Sequence, residues 1–88
     1  MKYALEISPK AERSLEKIPR KDFLMIDPSI RVLGGEPRPP GVKKLKEDIH
    51  RIRVGAWRII YVISDERRLV SILDVVRRSK TTYKRYRG

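Results

Sequence analysis

The sequence predicts one α+β domain of order β-α-α-β-β-β, an antiparallel sheet with two N-terminal helices packed on one face and a short C-terminal segment. Three observations predict it. The first 33 residues hold a short alternating stretch and then two stretches of helical periodicity. Residues 43–76 alternate apolar and polar positions in three runs separated by turn residues. The 88 residues suffice for one core and not two, so 1–88 reads as a single domain, one small enough to bury only about 60–65% of its unfolded surface.

The first alternating stretch, "KYALEIS", predicts a strand over residues 2–7. Ser8-Pro9 predicts a helix start, because a serine can cap and a proline suits the first helical position. Ala11, Leu15 and Ile18 then fall on one face, and Pro19 stops that helix. "RKDFLMIDPSIRVL" predicts a second helix with Phe23, Ile26, Ile30 and Leu33 on one side. Pro28 either kinks it or starts a new helix capped by Asp27. Gly34-Gly35 ends the helical region, and "GGEPRPPG" reads as a stiff loop. "KKLKEDIHRIRVG", "AWRIIYVIS" and "RRLVSILDVV" predict three strands in a meander, with turns at Gly55-Ala56 and near Asp65-Glu66. The tail "RRSKTTYKRYRG" is basic, a short helix or a loose end.

Charge is the strongest compositional signal. The net charge is +11 from 22 Lys/Arg and 11 Asp/Glu. Residues 1–42 carry +2 of it and residues 43–88 carry +9. Such asymmetry points to a polyanionic partner, with a solvated basic surface as the bland alternative. There is no cysteine and one histidine, which excludes disulfides, cysteine-based zinc sites and histidine clusters. No run approaches the ~20 apolar residues of a membrane span, and the first residues are too polar for a secretory signal. No cofactor, metal or membrane partner is expected, and a cytoplasmic location is.

The stretch "RIRVGAWR" concentrates the charge. Glycine at the first central position of a two-residue loop favours a type II′ turn, and that turn sets the register. Val54 then faces Trp57, Arg53 faces Arg58, Ile52 faces Ile59 and Arg51 faces Ile60. One face carries Arg51, Arg53, Arg58, Ile60 and Val62, and the other carries Ile52, Val54, Trp57, Ile59, Tyr61 and Ile63 as core. Like charges directly opposite destabilise a strand pair by about 0.2–1 kcal/mol. An arginine cluster is therefore explained by a visiting anion, held by guanidinium forks. The alternative is neutralisation by Glu47 or Asp74. Continued parity puts Leu69, Leu73, Val75 and Arg77 on the arginine face as well. His50 shares the core face with Ile52 and reads as structural, and Trp57 as core.

These residues carry a family likeness. "HRIRVGAWRIIY" is similar to the hairpin "YRIRVGDYRVIY" of the RelE/ParE superfamily of bacterial and archaeal toxins, and "ISPKAERSLEKIP" resembles its opening strand and helix. The likeness spans nearly the whole chain. It implies, for the RelE branch, metal-independent cleavage of messenger RNA on the ribosome by attack of a 2′-hydroxyl on the adjacent phosphate. It implies that Arg51, Arg53, Arg58, Arg78 and Tyr83 are the catalytic set, with Arg78 preferred over Arg77. Lys43, Lys44, Lys46, Arg77 and Tyr86 are expected to contact RNA. Two hairpin lysines of that branch are arginines here, and arginine does not release its proton. The general base is then Tyr83, Glu47 or Lys46. The implied partners are ribosome, message and an acidic antitoxin, in a hetero-oligomer. A ParE-like inhibitor of DNA gyrase, or an inactive RNA-binding relative, is the alternative.

Overall fold

The computed structural model describes residues 2–78. Strand β1 (Ala4–Ile7) leads into helices α1 (Pro9–Glu16) and α2 (Arg20–Val32). Strands β2 (Lys43–Lys46), β3 (Ile49–Val54), β4 (Trp57–Ser64) and β5 (Leu69–Arg77) follow. The α+β class and the two N-terminal helices are as expected. The sheet differs in two respects. It has five strands in the order β1-β5-β4-β3-β2, because "KKLKEDIHRIRVG" folds back on itself at Glu47-Asp48. Glu47 takes the left-handed turn conformation, with φ +49°. The sheet is also mixed, since β1 runs parallel to β5. The two helices and the meander return the chain beside its own beginning, and the last strand runs in the direction of the first.

Local chemistry places the helices. Ser8 Oγ accepts from the Ala11 N–H at 3.1 Å, with Pro9 at the first helical position. The same hydroxyl donates to the Leu73 carbonyl at 2.9 Å, so the cap also ties α1 to β5. Pro28 neither breaks nor restarts α2, which is continuous. It lies on the exposed side, where water can replace the bond it cannot make. Asp27 pairs with Arg31 at 2.8 Å instead of capping a new helix.

The core lies between the helices and one sheet face. Ala11, Ile26, Leu33, Ile59, Tyr61, Val70 and Ile72 are fully buried there. Tyr61 keeps its hydroxyl satisfied by donating to the Pro37 carbonyl at 2.8 Å, and burial pushes its phenol up to about 12. The proline-rich loop is fastened at Arg38, whose guanidinium forks onto the Asp65 carboxylate at 2.9 and 3.2 Å. Tyr3 donates to the same carboxylate. Those bonds, Arg38 first and Tyr3 second, hold Asp65 down to about 2. Among the described residues no helix is long and apolar enough to cross a membrane.

Candidate active site

The hairpin register is the one its turn dictates. Arg53 stands opposite Arg58, Ile52 opposite Ile59, Arg51 opposite Ile60 and Val54 opposite Trp57. Gly55 has φ +60° and Ala56 does not share that sign, the pattern of a type II′ turn. The two faces separate as the alternation requires. Val54, Trp57, Ile59, Tyr61 and Ile63 join the helix-side core, while Ile60 and Val76 form a second cluster with Leu45, Ile49 and Leu73 on the arginine side. The three arginines differ in depth: Arg51 is buried, Arg58 half-buried and Arg53 exposed.

A β-bulge in β5 changes the rest of that face. Tyr61 pairs with Ile72 and Ile60 with Asp74, so Leu73 is the extra residue. Inserting one residue inverts the parity of everything after it. Leu69 and Leu73 keep to the arginine side, but Val75 lies in the helix-side core, opposite Ile59, against the parity expectation. Arg77 is likewise corrected to the helix side. It pairs with Trp57, and its guanidinium carbon sits 4.6 Å from the Trp57 ring centroid. Arg78 stays at the arginine end. Its N–H donates to the Ala56 carbonyl at 2.9 Å, and an Arg58 guanidinium nitrogen donates to the Arg78 carbonyl. The end of β5 is thus stitched to the hairpin turn, and Arg58, Arg77 and Arg78 surround a cavity of about 350 Å³ with Ala56.

The supposed neutralising acids lie elsewhere. Asp74 is buried under α1, where its carboxylate accepts from Ser14 Oγ at 2.7 Å and from the Val75 N–H at 2.8 Å, with Lys10 Nζ at 3.5 Å. Glu47 sits in the turn before β3, six residues from Arg53, roughly 20 Å at 3.3 Å per strand residue. It and Lys46, which pairs with Ile49, occupy the end of the hairpin remote from Arg58, so neither reaches that arginine as a general base. Of the loop lysines, Lys43 faces Arg51 and extends the arginine row, whereas Lys44 faces His50 and belongs to the opposite side. Tyr83 and Tyr86 lie outside the described residues. His50 is buried, stacked on Tyr61 at 5.8 Å between ring centroids, with Nδ1 2.8 Å from the Asp48 carbonyl. Burial pulls its pKa below the usual histidine value, as fits a neutral structural ring. Sequence reasoning did not single out the link from Arg78 to the turn, because it depends on the bulge.

A family model described as ParE toxin of type II toxin–antitoxin systems matches residues 5–82. The chain belongs to this toxin family. Its wider setting is the RelE/ParE superfamily, and its α+β fold with N-terminal helices and a five-stranded mixed sheet matches RelE-like structures. A relative bearing the name RelE1, from Methanocaldococcus jannaschii, is 28% identical over 83 residues, 89% of this toxin and 92% of that protein. The RelBE2 toxin–antitoxin complex of Mycobacterium tuberculosis contains a chain 28% identical, with a TM-score of 0.79, covering 89% of this chain and 100% of that one. The archaeal RelE–RelB complex of Pyrococcus horikoshii gives 25% identity and a TM-score of 0.82, over 92% and 100% of the two chains. Free Escherichia coli RelE carrying two arginine-to-alanine substitutions shares the fold at a TM-score of 0.81 and 17% identity, over 98% of this chain and 94% of that one.

Proposed function

We propose that this toxin is a ribosome-dependent messenger-RNA endonuclease. The observation that carries the reading is the pairing of Arg53 with Arg58 across a type II′ turn to which Arg78 is hydrogen-bonded. A phosphodiester entering there meets rigid guanidinium forks from two strands and from the chain after β5. The substrate 2′-hydroxyl oxygen bonds to phosphorus and the bond to the 5′-oxygen breaks, leaving a cyclic phosphate and a 5′-oxygen that takes a proton from water to become a 5′-hydroxyl. Arg51, Arg53, Arg58 and Arg78 offset the charge that grows on the phosphoryl oxygens. The 2′-hydroxyl proton passes to a group other than arginine, and Tyr83 takes that role on the family likeness. Lys43 lengthens the phosphate-binding row. Lys44, Lys46 and Tyr86 serve contacts farther along the RNA.

The net charge of +11 supports steering toward ribosomal RNA and toward an acidic antitoxin. The M. tuberculosis relative is part of a toxin–antitoxin complex, and the P. horikoshii RelE is in complex with RelB. An antitoxin complex in the cytoplasm is therefore the resting state. The match to the ParE model favours a second reading, inhibition of DNA gyrase through protein contacts. Mapping 5′ ends of a message on programmed ribosomes separates the two. Cuts in the decoding site are expected. Arg58→Ala should lower cleavage by about 100-fold or more while retaining cooperative unfolding. An intact message, or a folded Arg58→Ala protein that cuts normally, overturns the reading.

A further inference from the structure

A second cavity, of about 320 Å³, opens on the helix side of the sheet beside the arginine site. Lys10, Ser14, Lys17, Trp57, Asp74 and Arg77 line it, and Arg77 also lines the first cavity. The two cavities therefore meet at one guanidinium, around the end of β5. That guanidinium lies over the Trp57 ring, and Trp57 is itself held by its indole N–H, which donates to Asp22 at 3.2 Å. Arg77 is exposed and Trp57 is buried. The indole is thus a backing plate that fixes the guanidinium, and the outer side of the cation faces solvent.

A fixed guanidinium plane is a stacking surface for an unpaired base. Behind it, α1 presents Lys10, Ser14 and Lys17, one residue per turn. Lys10 is engaged by Asp74 at 3.5 Å, and Asp74 also accepts from Ser14. Lys17, at the exposed end of α1, is placed to meet a phosphate, and Ser14 and Asp74 give the cavity polar edges for a base or sugar. At about 320 Å³ the cavity is at the lower end of the size of small-ligand sites, roughly 300–1,000 Å³.

We infer that Arg77, backed by Trp57, stacks an unpaired nucleotide of the RNA strand next to the phosphate held by Arg58 and Arg78, and that Lys17 binds the phosphate of that nucleotide. The inference rests on the reading of this protein as an RNA-cleaving toxin, and deepens it by naming a subsite for the flanking strand. It assigns the helix side of β5 to substrate, where the hairpin alone placed it on the opposite side.

Trp57 is the chain's single tryptophan, so its emission reports on this stack directly. A short 2′-O-methyl RNA, which cannot be cleaved by 2′-hydroxyl attack, is titrated into the full chain at low ionic strength. Binding is read by anisotropy of a label on the RNA, and the site by Trp57 emission. Saturable binding with a matching change in Trp57 emission is expected. Arg77→Lys keeps the charge and removes the plane. It should weaken binding by roughly 5- to 100-fold, the range for one lost stacked base, and abolish the emission change. Lys17→Ala should weaken binding severalfold and keep the emission change. No binding, binding with silent Trp57, or an Arg77→Lys protein that binds as well as the parent overturns the inference. An equal emission response to poly-glutamate also overturns it, pointing to an acidic protein on this surface. Cleavage on ribosomes with silent Trp57 removes the subsite alone, while a Trp57 response without any ribosomal cleavage removes the endonuclease reading and leaves an RNA-binding site.

Discussion

Arg53→Thr distinguishes a functional arginine cluster from an ordinary basic surface, because only the functional cluster loses activity while stability rises. Arg53 is exposed and stands directly opposite Arg58. Like charges so placed destabilise the pair by about 0.2–1 kcal/mol, and threonine suits an exposed strand position better than most residues. Removing Arg53 should therefore raise stability by about 0.5 kcal/mol. For a domain of this size that is a Tm increase of about 2–4 °C. Cleavage should fall by about 100-fold, the order expected for losing one positioned charge that acts on the developing phosphoryl charge. Thermal unfolding followed by circular dichroism reads the first effect, and 5′-end mapping on programmed ribosomes reads the second. A variant destabilised by more than about 0.5 kcal/mol means that the Arg53 stem is packing surface. A variant that is more stable and fully active means that the cluster is idle charge. Either result refutes the argument that an anion accounts for this pairing.

Asp74→Ala should destabilise the fold by about 3–6 kcal/mol. It removes a buried carboxylate that accepts from Ser14 and the Val75 N–H, at about 1.5–3 kcal/mol per charged bond. The Lys10 side chain is 44% exposed and can turn to water. Urea unfolding at neutral pH measures this, and a loss below about 0.5 kcal/mol contradicts it. Gly55→Ala should cost about 1–2 kcal/mol, because the residue has φ +60° and an added Cβ would lie 2.8 Å from the end of Met25; an unchanged urea midpoint would remove the turn argument. Acidification should act in two stages. Burial lowers the His50 pKa below 6.5, so its share of stability is present above pH 6.5 and is lost as pH falls below that. Asp65, held down to about 2 by Arg38 and Tyr3, contributes above its ordinary 3.8 and loses that contribution between pH 3.8 and 2. His50→Phe should flatten the first stage of a urea-midpoint profile and Asp65→Asn the second. A parent profile without slope in either window counts against both assignments.

What was legible beforehand follows the range of the forces involved. Ser8-Pro9 starts α1 because a cap is a matter of adjacent atoms. The Gly55-Ala56 turn aligns six residue pairs because a two-residue loop has few geometries. From that register alone, Arg53 and Arg58 are neighbours and His50 is a core-side ring. Pro28 was ambiguous in sequence because the penalty for a helical proline depends on what its side of the helix faces, and here that side is exposed.

The placement of Arg77 could not be read in the same way. A strand pattern carries parity forward only while every residue is paired, and the bulge at Leu73 skips one. That bulge lies where Asp74 turns under α1 toward Ser14 and Lys10, residues about 60 positions earlier in the chain. The parallel pairing of β1 with β5 has the same character, joining the two ends of the sequence through contacts that neither segment encodes alone. Local patterning by itself determined an arginine-rich hairpin on a two-helix α+β domain. The choice of which arginine stays at that hairpin, and which rests on Trp57 across the sheet, belonged to long-range packing, because one unpaired residue reverses the side on which every later side chain stands.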